Sequence, residues 1–261
     1  MDYRAKKAAL FVAHPGHILR VYRWIEIAKP LVFVITDGSV PGATSRLPAT
    51  TALLEKTGAR PASSLYGQWT DMQVYDAILN GDAAPFAEAT RRMADELVAE
   101  GIEYIAGDAS EGHQCTHEMC RFMLNTALVL SAKNTGRAIL NYEFLLFGPP
   151  NICPAEVRDR SIRIDLDEPA LERKLAAAYS YNPDFMHEVE KQIAQFGREP
   201  FMVEYLLPAG ADSEWHAGRG KPRYETNGEE LVLSGKYQHV IRHSEHFEPL
   251  VARMRSSLGV G

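Results

Sequence analysis

Two histidines, His14 and His17, stand directly after the apolar run Ala8-Ala9-Leu10-Phe11-Val12-Ala13, in the segment Ala13-His14-Pro15-Gly16-His17. A second pair, His113 and His117, follows a second apolar run, Tyr104-Ile105-Ala106-Gly107. Neutral imidazole is the commonest protein ligand for zinc and also suits iron and nickel. Carboxylates accompany both pairs: Asp108 and Glu111 precede His113, and Asp37 follows a third apolar run, Leu31-Val32-Phe33-Val34-Ile35. A lone histidine at a strand end is usually a hydrogen-bonded structural residue. Four histidines and three carboxylates on converging loops point to a metal or catalytic site.

Convergence requires the apolar runs to be neighbouring strands. Residues 8–13 and 31–35 read as buried strands, with a helix from His17 to Pro30 between them and an exit turn at 36–39. Helical patterns follow at 47–57, 72–80 and 84–100, then a strand near 102–107, a helix over 116–132 and a strand at 137–142. Alternating strands and helices imply a Rossmann-like α/β fold, a mostly parallel sheet with helices on both faces, in which ligands bind beyond the carboxyl ends of the strands. The stretch Phe147-Gly148-Pro149-Pro150 marks a change of character. We expect a core over 1–150 and a C-terminal extension over 151–261, with a strand at 161–166, helices at 167–178 and 182–197, and a polar remainder.

A length of 261 residues is enough for a substantial core, and a mixed charge of net −6 gives no reason to expect nucleic-acid binding. No apolar run is long enough for a membrane span or a signal-peptide core. Three cysteines without CxxC spacing suit a reducing cytoplasm.

His113-Gln114-Cys115-Thr116-His117 has the i,i+4 spacing of the zincin motif HExxH but carries Gln114 where that motif needs its glutamate base. Cys120 is expected to face the core. GxGxxG is absent from the first turn, so this is not a dinucleotide fingerprint. Gly16 suits a tight turn and close approach of a ligand to backbone. Arg20 and Arg46, with Asp37, are candidates for substrate binding. His243 and His246 are expected at the surface.

A strand ending in Ala-His-Pro, a second ending in Thr-Asp-Gly, and a later histidine opening a helix resemble the PIG-L/LmbE-like family of metal-dependent N-deacetylases. The resemblance covers roughly the first 145 residues. It implies a Rossmann-like fold and a zinc-dependent removal of an acetyl group from an N-acetylated sugar or related conjugate. The family's opening motif reads Ala-His-Pro-Asp-Asp-Glu. By that match His14 is the first metal ligand, His17 stands in place of the aspartate ligand, and His117 best matches the third. Gly16 stands where the family has its general base, Ile18 replaces the glutamate, and the later His-x-x-His spacing is widened.

Exchanging aspartate for His17 keeps a ligand and makes the shell all-imidazole. A tri-histidine site with an open position still activates water. Gly16 has no proton acceptor, and losing a base costs on the order of 10²–10⁴ in rate. Glu111 and Asp108 are the candidates to replace it, with Asp37 next, and His113 is a candidate oxyanion stabiliser. The expectation is a metal-dependent hydrolase of amide bonds acting on a small molecule, with zinc the first choice of metal and iron or manganese the others. Two alternatives stay open: a non-hydrolytic iron or manganese centre running redox, lyase or isomerase chemistry, and a binding protein on the same fold.

Overall fold

Strands form where apolar residues alternate between two buried faces. In β1 (Ala8–Val12) every residue is buried. Ala9 and Phe11 join the core on one face, while Ala8, Leu10 and Val12 join the core on the other. A strand buried on both sides is what a sheet covered by helices requires. A computed structural model describes residues 3–39, 44–210 and 213–260.

Among the described residues the order is β1, a 3₁₀ turn (Pro15–Val21), α1 (Tyr22–Ala28), β2 (Leu31–Thr36), α2 (Leu47–Thr57), β3 (Arg60–Trp69), α3 (Asp71–Leu79), α4 (Ala84–Ala99), β4 (Tyr104–Asp108), α5 (Cys115–Thr135) and β5 (Leu140–Phe144). Then come β6 (Ile162–Asp165), α6 (Glu168–Tyr181), α7 (Pro183–Phe196), β7 (Val203–Pro208), α8 (Arg223–Leu233) and α9 (Glu248–Ser257). The seven strands make one sheet in the order β3-β2-β1-β4-β5-β7-β6. β3 to β5 pair in parallel, and β7 pairs antiparallel with β5 and with β6. The α/β class and mostly parallel sheet expected from sequence are found.

Three elements differ from expectation. β3 was not foreseen, because its polar sequence Arg60-Pro61-Ala62-Ser63-Ser64 lies at a sheet edge with two register shifts. The first helix is split: Val21, at φ −119° and ψ 33°, separates the 3₁₀ turn from α1. The region beyond residue 198 is not a plain polar tail, since β7 enters the sheet and α9 contributes Leu250, Val251 and Met254 to the core around α4 and α5.

β7 also completes α1. That helix has no side-chain cap of its own. Instead, the Glu204 carboxylate accepts the amides of Arg23 at 3.0 Å and Trp24 at 2.8 Å, which would otherwise be orphaned at a helix start. Lys174 of α6 donates to the same carboxylate at 2.7 Å, and both side chains are buried. Among the described residues, no helix is long and apolar enough to cross a membrane.

Candidate metal centre

The order of strand addition reverses at β1, which pairs in parallel with β2 on one side and β4 on the other. Loops leaving β1 and β4 diverge there and open a crevice at the carboxyl ends of the strands. His14 and His17 leave β1 on the 3₁₀ turn, Asp108 ends β4, and His117 lies in the first turn of α5.

The three imidazoles meet in that crevice. Their ring centroids are 5.0 Å (His14–His17), 4.9 Å (His14–His117) and 4.7 Å (His17–His117) apart, each pair edge-on. One nitrogen from each lies within 4.8 Å of the others, the one group of this kind among the described residues. His14 Nδ1 is 3.0 Å from His117 Nε2.

Two carboxylates fix which nitrogen faces the centre. Asp71 Oδ1 lies 2.7 Å from His14 Nε2, and Asp108 Oδ2 lies 2.7 Å from His17 Nδ1. Each carboxylate accepts the proton of the far nitrogen, so His14 Nδ1 and His17 Nε2 carry the lone pairs. Carboxylate–histidine pairs of this kind orient metal ligands and raise their basicity.

Electrostatics agree with a cation site. Burial, then the neighbouring charges of His17, His14 and His113, hold His117 well below the usual histidine range, in its neutral ligating form. Burial pushes the Asp71 carboxyl up, but hydrogen bonding and charge from His14, with the Thr36 and Thr116 hydroxyls, outweigh it and leave Asp71 below the usual range. Asp108 is fully buried. Its Oδ2 also accepts the Ala13 amide at 2.8 Å, while Oδ1 has no hydrogen-bond partner among the described residues. A sealed carboxylate with one oxygen unpartnered is stabilised by positive charge nearby. The donor set therefore fits a divalent cation.

The other expected site residues have different surroundings. Asp108 serves His17 rather than standing free as a base or extra ligand. Glu111 accepts the amides of Leu146 at 2.7 Å and Phe147 at 3.4 Å. Burial pushes its carboxyl up to about 7 against those amides and the charge of Arg20, with Asp108 adding to the rise. His113 lies flat on Phe147, ring centroids 3.5 Å apart. Burial and the charge of Arg223 lower its pKa.

Arg20 does not present its guanidinium to the crevice as a free anion receptor. It donates to the carbonyls of Leu145 at 2.9 Å and Gly148 at 2.5 Å. Asp37 closes a local turn by accepting the Ser39 amide at 2.9 Å and hydroxyl at 2.7 Å. Arg46 precedes α2 and lies along Gly38. His243 corrects the surface expectation: it is buried beside Phe122 and Phe247 and bonds the Tyr224 hydroxyl at 3.1 Å. His246 stays partly exposed and accepts the Arg242 amide at 2.9 Å. Cys120 faces the core as expected.

The sequence reading missed Asp71 and Phe185. Asp71 opens α3 behind Thr70, whose hydroxyl and Gln73 form a reciprocal capping box, so a helix-start signal was there to find. Gly16 is hemmed in by α6 and α7: a Cβ at this position would lie 2.8 Å from Phe185 Cε2 and 3.3 Å from Tyr181 Cε1.

No protein-family model matches the chain, and no curated protein sequence does. Among solved structures the chain is similar to the A40926 pseudoaglycone deacetylase Dbv21, at 15% identity, covering 77% of this chain and 96% of that one with a TM-score of 0.48. It is also similar to a triple mutant of a teicoplanin-pathway deacetylase, at 11% identity, 77% and 97% coverage and a TM-score of 0.46. The zinc-inhibited form of the teicoplanin deacetylase Orf2 is a further neighbour, at 10% identity, 77% and 97% coverage and a TM-score of 0.42.

Proposed function

We propose that this chain is a metal-dependent amide hydrolase of deacetylase type, acting on a small molecule, with His14, His17 and His117 as the metal ligands. The observation that carries this reading is the pair of carboxylate–imidazole contacts, Asp71–His14 and Asp108–His17, which turn two lone pairs towards His117. A divalent ion held there, zinc first, supplies a Lewis acid that polarises an amide carbonyl and acidifies water.

The chain's own groups divide the remaining work. Asp108 holds His17 and balances charge from within the sheet. Asp71 holds His14 and keeps a side chain 33% exposed, so it combines contact with the triad and access to solvent. It is the carboxylate we assign to proton transfer in place of the one missing at Gly16. Arg46, which precedes α2 beside Gly38, is the cation we assign to an anionic group of the substrate.

A second reading has its own support. The space that a side chain at position 16 would take is filled by Phe185. That favours a centre without a hydrolytic base at position 16, either a non-hydrolytic iron or manganese centre or a binding protein on the same fold. The test is acetate release from N-acetylated amines and amino sugars by protein loaded separately with zinc, iron and manganese. Hydrolysis that falls by on the order of 10²-fold in Asp71→Asn, compared at equal metal content, supports the first reading. Absence of hydrolysis with every metal, in protein of full metal content, removes the first reading.

A further inference from the structure

Two charged side chains hold the loop that follows β5. Arg20 donates to the carbonyls of Leu145 and Gly148, and Glu111 accepts the amides of Leu146 and Phe147. Four consecutive residues are thus pinned through backbone groups. Both clamping groups bear the cost of desolvation: burial lowers Arg20 to about 10 and raises Glu111 to about 7. Ordinary loops are held by turns and water. Committing two buried ionisable side chains to four residues is a device for fixing position.

What the clamp fixes is Phe147. One face of its ring is covered by His113, with an angle of 15° between the planes, yet the residue is 38% exposed. Its centroid is 6.3 Å from that of His117, so an aromatic surface lies beside the triad. On α6 and α7, Tyr181 and Phe185 pack against Gly16. The polar side chains expected to meet substrate, Arg20, Asp37, Asp108 and Glu111, make their hydrogen bonds within the protein.

We infer that Phe147, backed by His113 and clamped by Arg20 and Glu111, is a subsite for a planar aromatic group next to the scissile amide, so that the substrate class is an aryl-bearing amide. The inference rests on the triad being the reaction centre. A flat ring stacks on an exposed ring face with a geometric preference that a hydroxyl-rich group does not share. Arg20 and Glu111 are positioning residues, acting through the loop.

The test measures dissociation constants by NMR titration of the full chain, metal-loaded and chelator-treated, with N-methylacetamide, N-methylbenzamide and acetanilide. At least one aryl amide is expected to bind about tenfold tighter than N-methylacetamide in both forms of the protein, and which one does so tells whether the ring sits on the acyl or the amine side. Phe147→Leu should erase that preference and Phe147→Tyr keep it. Glu111→Ala should reduce it and Glu111→Gln, which keeps an accepting oxygen, restore it. Equal affinity for all three amides, or a preference that survives Phe147→Leu, overturns the inference. Aryl preference in a protein that binds no metal removes the hydrolase reading alone, and metal-dependent hydrolysis without aryl preference removes this one alone.

Discussion

A Cβ at Gly16 would sit 2.8 Å from Phe185 Cε2, closer than packed carbon atoms come. The absence of a side chain in the first turn and the position of α7 therefore depend on each other. Gly16→Asp alone should lose stability and gain no hydrolysis, because its carboxylate meets the ring. Gly16→Asp combined with Phe185→Ala opens that space and should raise acetate release above the single variant. Equal rates in the two variants would show that Phe185 does not exclude a base.

The Asp71–His14 and Asp108–His17 contacts, both 2.7 Å, predict a loss of metal affinity without loss of a ligand. Asp71→Asn and Asp108→Asn should each weaken binding roughly 10–100-fold, the range for groups that orient metal ligands. Competition with a chromophoric chelator measures it. Unchanged affinity in both variants would remove the carboxylates from the account.

Glu111 and Glu118 are raised by burial from the ordinary 4.5 to about 7. The folded state holds these protons more tightly than the unfolded chain. Their contribution to stability is thus present below about pH 4.5 and lost as pH rises through about 7. Glu111→Gln removes one of the two. Relative to the native protein it should gain stability between pH 4.5 and 8, by on the order of 3 kcal/mol at most. Urea denaturation of both proteins across that range checks this, and a pH-independent difference contradicts it.

Lys174 and Glu204 form a buried pair at 2.7 Å that joins α6, β7 and the start of α1. Burial lowers the lysine pKa, against the charge and hydrogen bond of Glu204. Lys174→Met leaves a buried carboxylate without its cation, at a cost of about 3–5 kcal/mol. That corresponds to a fall of roughly 10 °C in Tm by calorimetry. Lys174→Met/Glu204→Gln should recover part of the loss, since it removes the stranded charge.

The sequence disclosed those parts of the fold whose burial is uniform. β1 is apolar throughout and β2 is apolar up to Thr36, so they and the histidines after β1 could be read directly. β3 could not, because Arg60, Ser63, Ser64 and Gly67 lie on an irregular edge, and with β3 unseen the role of Asp71 at its exit was unseen too. β7 was hidden by Glu204, a charge near the start of the strand whose partners lie far away in sequence. Arg20 and Glu111 were singled out for their charge, but loop carbonyls and amides leave no mark on a sequence. His243 was misjudged for a related reason, since its aromatic neighbour Phe122 comes from another part of the chain.

The central claim is that three imidazoles hold one metal ion, and elemental analysis of protein purified without added metal tests it most directly. The native chain should carry close to one divalent ion per molecule, and His14→Ala, His17→Ala and His117→Ala should each lose it while remaining folded by circular dichroism. Full metal content in the folded histidine variants, or a native protein that takes up no ion even after dialysis against zinc, iron and manganese, would contradict the account.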